Sequence, residues 1–269
     1  MPISPSLLPS LALSSLAVFA FMTLAWIVSV RIKNAGIVDV CWGLCFVLQV
    51  WVYFALTPEG FVGRKILIGL LVTVWGLRLA LHILRRNWGK PEDYRYQAFR
   101  QHLGPQRYWW VSLFQVFWLQ GGLSLIIGVP LLAAQISPTP DRLTALDGLA
   151  GAVWTIGFGF EAIGDWQLAR FRSNPANKGK VLDHGWWRYT RHPNYFGDAV
   201  QWWAYYLIAL AAGGGWAIFS PVIMTTLLVR VSGVSLLEKS LAQNKPGYRE
   251  YMATTSAFVP WKKKPPGGF

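Results

Sequence analysis

Acidic residues are scarce: 12 Asp and Glu stand against 25 Lys and Arg in 269 residues, and charged residues of both signs make up only 14% of the chain. A soluble domain carries about a quarter, so a water-soluble enzyme is a poor fit. Cysteine is nearly absent. Cys41 and Cys45 lie four apart in one apolar stretch, a spacing poorly placed for a disulfide. Without a third Cys or a neighbouring His they make no metal-ligand set, and no metal is expected. There is no G-x-G-x-x-G string, which excludes the usual dinucleotide-binding fingerprint of a soluble α/β domain. No internal repeat and no low-complexity tract occurs. No basic segment precedes the first apolar run, and Arg31 and Lys33 follow it. That pattern marks a retained anchor rather than a cleaved signal peptide.

What fills the sequence instead is apolar: 54% of residues are hydrophobic. Runs of about 17 to 25 apolar residues read as membrane-spanning helices, and seven are present. They run Leu7 to Val30, Ala35 to Leu56, Ile66 to Leu84, Tyr108 to Gln135, Thr144 to Leu168, Phe196 to Ala212 and Trp216 to Leu237. The expected fold is an all-α integral membrane protein of seven transmembrane helices in one domain, residues 1–269. Its N-terminal half, 1–136, is expected to line a substrate cavity, and 144–269 to form the C-terminal half. The basic excess sits in alternate gaps between the runs, so it reads as membrane orientation rather than nucleic-acid binding. Arg85, Arg86, Lys90, Arg95, Arg100 and Arg107 fill one gap, and Arg170 to Arg191 another, while Gly213-Gly214-Gly215 has none. The N-terminus is then outside and the C-terminus cytoplasmic. Arg64 and Lys65, in an external gap, fit that scheme least well.

Ionisable groups inside apolar runs are costly and mark candidate sites. In the fifth run, Glu161, Asp165, Leu168 and Arg172 share one helical face. Either the two acids pair with Arg170 and Arg172, or they wall a cytoplasm-facing pocket. The string from Trp187 to Asp198 puts two arginines, a histidine, an asparagine and two tyrosines at the membrane surface, with Pro193 positioned to start a helix. Guanidinium groups beside a helix N-terminus suit phosphate oxygens. Aromatic faces suit a heterocycle, and Asn reads an amide or hydroxyl. That describes a nucleotide site; a helix N-cap with interfacial aromatics is the plainer reading. Glu238 ends the seventh run. After the turn at Lys245-Pro246-Gly247, Tyr248-Arg249-Glu250-Tyr251 reads as a surface helix or a further wall of that site. In the N-terminal half, Asp39 and Gln49 lie in the second run and Arg78 and His82 in the third. They are an Asp39–Arg78 pair or the polar groups of a substrate cavity. The Arg85 to Tyr96 segment is a cytoplasmic loop or interfacial helix able to close over a site.

Arg191-His192-Pro193-Asn194-Tyr195-Phe196-Gly197-Asp198 resembles the signature of the steroid 5-alpha-reductase superfamily. The chain is similar to the bacterial branch of it long catalogued as a domain of unknown function, DUF1295. Supporting strings are Asn87-Trp88-Gly89-Lys90, Glu92-Asp93-Tyr94-Arg95-Tyr96, Gly164-Asp165-Trp166-Gln167, Asn177-Lys178-Gly179-Lys180 and the tail from Tyr248 to Pro260. The likeness is strong from about Leu146 onward. It implies an NADPH-dependent reductase that saturates a carbon–carbon double bond conjugated to a ketone in a steroid-like or other lipid-soluble substrate. The cofactor contacts it implies are Asp165, Arg172, Lys180, Tyr189, Asn194 and Asp198, joined by pattern by Glu161, Asn177, Arg191, His192, Tyr195, Glu238 and Tyr251. Asp198 stands for the more usual Glu, and Lys180 for an Arg, which keeps a cation but loses the bidentate fork. Glu161 stands where an amide is common. The steroid enzymes hold the ketone with a Gln-Glu pair and a Tyr. Here Gln49 is followed by Val50, and Trp75 stands at the Tyr position, so the catalytic candidates are Gln49 with Asp39 or Tyr94, or Tyr53, as substitutes.

The Arg-His-Pro-x-Tyr string and the Glu with its Y-x-x-Y tail also resemble the isoprenylcysteine carboxyl methyltransferases, which implies S-adenosylmethionine instead. The crowd of Arg172, Lys178, Lys180, Arg188 and Arg191 favours the phosphate-bearing NADPH. A non-catalytic membrane scaffold is the third reading. The partners expected are a lipid-soluble small molecule and membrane lipids, with no nucleic acid and no obligate protein. The expected location is a multi-pass position in a bacterial inner (plasma) membrane.

Overall fold

The computed structural model of the protein describes residues 5–231 and 234–263, without the side chains of Ser235, Leu236 and Ser240. Positions 232–233 of the seventh expected run, and Lys264, lie outside the described residues. The helices are α1 (Leu7–Ile32), α2 (Ile37–Leu56), α3 (Val62–Asn87), α4 (Tyr94–Leu103), α5 (Pro105–Ile127), α6 (Val129–Ala133), α7 (Ala145–Ser173), α8 (Pro193–Ala211), α9 (Gly215–Val231), α10 (Val234–Asn244) and α11 (Tyr248–Thr254). Among the described residues there is no strand, only a parallel bridge between Thr190 and Ser256. Among the described residues, five helices are long and apolar enough to cross a membrane: α1, α2, α3, α5 and α7. α8 has the length, 19 residues, but carries Asn194, Asp198 and Gln201 on one face. α9 is a shorter apolar helix. A π-helical stretch interrupts α5 at Leu113–Trp118, and another forms the last residues of α9, Leu227–Val231.

The chain forms two compact units: one runs up to Asp147 and adds Ile208–Ala217, and the other comprises Gly148–Leu207 and the chain from Ile218. In the first, α1 reads inside out. Its buried face is Ser10, Ser14, Val18, Met22, Ala25 and Ser29, while Leu8, Leu13, Leu16 and Leu24 are exposed. Small residues toward neighbouring helices and leucines outward is the pattern of a helix whose solvent is lipid. α2 and α3 cross at Gly43 and Gly76: a Cβ on either would come within 2.9 Å or less of the other's carbonyl oxygen. Only glycine permits that backbone approach, and Phe46 and Trp75 pack beside it, 5.7 Å between ring centres.

Arg64 and Lys65, the two cations that fit the charge pattern least, are not surface charges. Arg64 is fully buried. It donates from Nε and Nη2 to the two carboxylate oxygens of Asp147 at 3.0 and 3.2 Å, and from Nη2 to the Arg142 carbonyl at 3.2 Å. The Thr144 amide and hydroxyl both donate to Asp147 at 2.8 and 2.9 Å, an N-terminal cap on α7 that also satisfies the acid. Lys65 donates to the Thr57 carbonyl at 2.6 Å, with its ammonium 4.5 Å from the centre of the Phe54 ring. Both charges are spent holding turns to helix ends.

Candidate functional site

The site residues fall into two groups, one in each unit. In the second unit, α7 and α8 come together through glycine. A Cβ on Gly197 would collide with the Glu161 amide nitrogen and the Gly157 carbonyl. This close crossing sets two acid–amide pairs along the seam. Gln201 donates to Glu161 at 2.6 Å, and Asn194 donates to Asp165 at 3.0 Å. Glu161, Asp165 and Asp198 are all buried. Glu161 and Asp165 of α7 are thus matched by amides of α8, partners that the expected pairing with Arg170 and Arg172 does not include. Trp187 caps the crossing, its indole donating to the Gly164 carbonyl at 3.1 Å.

The Arg191-His192 string leads into α8 and is strapped down by the C-terminal segment. Arg191 makes a fork to Glu238, 2.6 Å from Nε and 3.0 Å from Nη2, and Nη1 donates to the Met252 carbonyl at 2.9 Å and to the Thr255 carbonyl. His192 reaches the same Glu238 at 3.2 Å and stacks on Tyr195. The Tyr251 hydroxyl donates to the Trp187 carbonyl, and Thr190 to the Phe258 carbonyl at 2.8 Å. The Trp261 backbone N–H donates to the Tyr189 carbonyl at 2.9 Å. Tyr189 itself is exposed. Arg191, Glu238 and Tyr251 thus have protein partners for their polar atoms.

Burial by itself raises the Glu238 carboxyl, but hydrogen bonds from His192 and Arg191 and the Arg191 charge outweigh it and hold it at about 2. The folded value lies below the ordinary 4.5, so the clamp stabilises fully above that pH, and its contribution fades as pH falls toward 2. The unfolding temperature of the detergent-solubilised protein is expected to drop across that window, and Glu238→Gln to flatten that part of the profile. An equally steep acid limb in the variant rejects the assignment.

Beyond α7 the chain makes a tight double turn. The Asn174 side chain accepts from the Ala176 amide at 3.0 Å, and Asn177 donates to the Phe171 carbonyl at 3.0 Å. These bonds fold Lys178 and Lys180 back toward Arg172 around a hollow of about 250 Å³, which Lys245 lines from the end of α10. None of its lining residues is acidic. Among the described residues no group of three or more His, Cys, Asp and Glu gathers as metal ligands would.

In the first unit, α4 decides which tyrosine meets Asp39. Asp93 caps the helix, accepting from the Arg95 amide at 3.0 Å. The helical phase then turns Tyr94 outward, 66% exposed, and buries Tyr96. The Tyr96 hydroxyl donates to Asp39 at 2.8 Å, Arg95 reaches the other carboxylate oxygen at 3.4 Å, and Gln120 donates to the Tyr96 oxygen at 3.4 Å. Burial and the Asp39 charge push the Tyr96 hydroxyl above its ordinary range, so it stays a neutral donor. Gln49 is fully buried, donating to Ser124 at 3.2 Å. Sequence reasoning quotes Tyr96 and Lys245 only within motifs and passes over Gln201, naming none of the three as a site residue. Gln201 is within its reach, since it lies seven residues from Asn194 and shares its face.

The hollow and the acid–amide seam lie within the part of the chain that matches a known family, and the strap begins within it. An uncharacterized protein of Schizosaccharomyces pombe is 24% identical over 274 residues, covering 90% of this chain and 77% of that protein. No solved structure matches. Residues 25–255 match the family described as "Protein of unknown function (DUF1295)", and the chain belongs to that family.

Proposed function

We propose that the protein is an NADPH-dependent membrane reductase of the steroid 5-alpha-reductase type, which saturates an enone in a lipid-soluble substrate. It crosses a bacterial inner membrane seven times, α8 and α9 completing the five longer spans, with the C-terminus cytoplasmic. The internal commitment of Arg64 and Lys65 supports this orientation, because it removes two cations from the count of exposed external charge.

The observation that carries the reading is the hollow bounded by Arg172, Lys178, Lys180 and Lys245 with no acid in its wall. A dinucleotide bearing phosphates needs such a cluster, whereas the zwitterion S-adenosylmethionine does not. When bound, NADPH supplies a hydride. The chain's own residues bind and orient: the cations hold phosphate oxygens, and the Asp165–Asn194 bond fixes the Asn194 amide at the helix crossing.

The purified full-length protein is expected to change NADPH fluorescence on binding. Asn194→Ala is expected to weaken that binding by roughly tenfold, the worth of one lost hydrogen bond in a buried site, with the fold intact. No NADPH binding, together with transfer of a labelled methyl group from S-adenosylmethionine, replaces this reading with a methyltransferase.

A further inference from the structure

We infer that the seam between α1 and α5 in the first unit is a binding site for one anionic phospholipid, its headgroup phosphate on Lys33 and Arg107 and an acyl chain along the aromatic side chains below them. The inference needs only that these two apolar helices lie in a bilayer. It is independent of the reductase reading and of the basic hollow in the second unit.

On α1, Phe19, Thr23, Trp26 and Lys33 fall on one stripe at helical spacing. On α5, Trp118, Phe114, Trp110 and Arg107 do the same, in the opposite chain direction. Contacts join the two helices along this seam. The Trp26 indole donates to the Trp109 carbonyl at 2.7 Å, with the two rings stacked 6.2 Å apart. The Trp118 indole donates to the Thr23 hydroxyl at 3.0 Å, and its ring lies 5.4 Å from that of Phe19. Both of those N–H groups are turned to protein, so the seam offers ring surface outward. Trp109, Trp110, Phe114 and Trp118 are 37% to 52% exposed. Lys33 and Arg107 lie beyond the Trp26–Trp109 contact, at the end where α1 stops and α5 starts, and both are exposed. The N-terminus of α5 adds the positive end of its dipole there.

A solvated basic surface carries acids among its cations. Here the three acids at this end of the unit already have partners: Asp39 in Tyr96 and Arg95, Asp93 in the α4 cap and Arg95, Glu92 in Arg100 and the Ala35 amide. The other three lie at the opposite end, Glu59 accepting from Ser6 at the start of α1, and Asp141 and Asp147 around Arg64. Lys33 is also the one non-glycine with positive φ, 54°, among the described residues. Glycine or asparagine fits that turn more easily, so lysine places a charge there at a conformational cost. A zwitterionic headgroup would set its own cation beside Lys33 and Arg107, whereas phosphatidylglycerol brings a phosphate and no cation. Basic pockets between span ends take such headgroups, and aromatic faces at the membrane surface suit the chain region next to them.

The test uses the full-length protein in detergent, with bound lipid counted by native mass spectrometry during titration with dioleoyl phosphatidylglycerol or dioleoyl phosphatidylcholine. The wild type is expected to take up one phosphatidylglycerol with a preference of about twenty-five-fold, about fivefold for each cation. Lys33→Asn, a residue suited to the left-handed turn, combined with Arg107→Gln is expected to bring the ratio close to one, and Arg107→Lys to retain the preference. Trp110→Ala is expected to weaken both lipids alike, since its ring meets the chain rather than the headgroup. Arg85→Gln with Lys90→Gln removes as many exposed charges from the end of α3, outside the seam, and is expected to leave the ratio where it was. An equal fall in that control overturns the site, because the attraction then belongs to the whole basic surface. No preference in the wild type, or a ratio unmoved in the Lys33→Asn, Arg107→Gln variant, overturns it as well. Displacement of the lipid by inorganic phosphate at the same concentration overturns a lipid as the occupant. NADPH binding enters none of these readouts, so the reductase reading stands or falls separately.

Discussion

Arg191→Ala is expected to destabilise the detergent-solubilised protein by about 3 kcal/mol, near the lower end of the range for breaking a buried ion pair. The guanidinium is 8% exposed and Glu238 13%. Removing it strands the Glu238 carboxylate against His192 alone, and frees the Met252 and Thr255 carbonyls that it holds. The strap from Tyr248 to Lys263 loses its central anchor, although the Tyr251, Thr190 and Trp261 bonds remain. Arg191→Lys keeps the charge but not the fork, so it should recover only part of the loss. Nucleotide binding in Arg191→Ala is expected to fall with the stability of the strap rather than through a missing phosphate contact. The two are separable by adding stabilising ligand or lowering temperature. Binding abolished at a temperature where the variant is fully folded would instead make Arg191 a direct contact. A loss of stability under about 1 kcal/mol would show that the fork is dispensable.

The second large effect belongs to the first unit. Arg64→Ala is expected to cost about 4 kcal/mol, and Asp147→Ala a similar amount, because the pair is 0% and 1% exposed and each substitution leaves an uncompensated buried charge. Replacing both, Arg64→Met with Asp147→Leu, should restore most of the stability, since a buried pair exchanged for apolar side chains of similar size is often neutral or better. The Thr144 hydroxyl would lose its acceptor in each variant that replaces Asp147, so the double variant is expected to fall short of the wild type by about 1 kcal/mol. Unfolding followed by denaturant or heat checks the cycle. Additive losses in the double variant would place the two residues in separate environments.

The apolar helices are legible because hydrophobic length needs only a window of sequence to be read. α1, expected at Leu7 to Val30, runs Leu7–Ile32; α2, expected at Ala35 to Leu56, runs Ile37–Leu56. α3 extends past the expected Ile66 to Leu84 at both ends, to Val62–Asn87, since Arg64, Lys65, Arg85 and Arg86 interrupt apolarity without interrupting the helix. The long fourth run is divided, with Gly128 between α5 and α6. The α4 stretch reads from sequence as loop or interfacial helix. Its Asp93 cap fixes the helical phase, and that phase turns the candidate Tyr94 outward and brings the Tyr96 hydroxyl to Asp39, on the opposite face.

The sequence by itself determined that this chain prefers lipid to water, where its longest helices lie, and which acids, amides and cations are too polar for their surroundings. Those properties reside in composition and in short-range periodicity. Only the tertiary structure decided who partners whom: that Asp165 meets Asn194, that Arg191 is spent on Glu238, that Arg64 and Lys65 are interior rather than surface charges, and that Lys245 joins Arg172. Most of these join segments separated by tens of residues, and pairwise contact across such a distance depends on how helices cross, on glycines that let backbones touch and on which neighbour can satisfy a buried charge. None of that is encoded in a window of sequence the length of one helix.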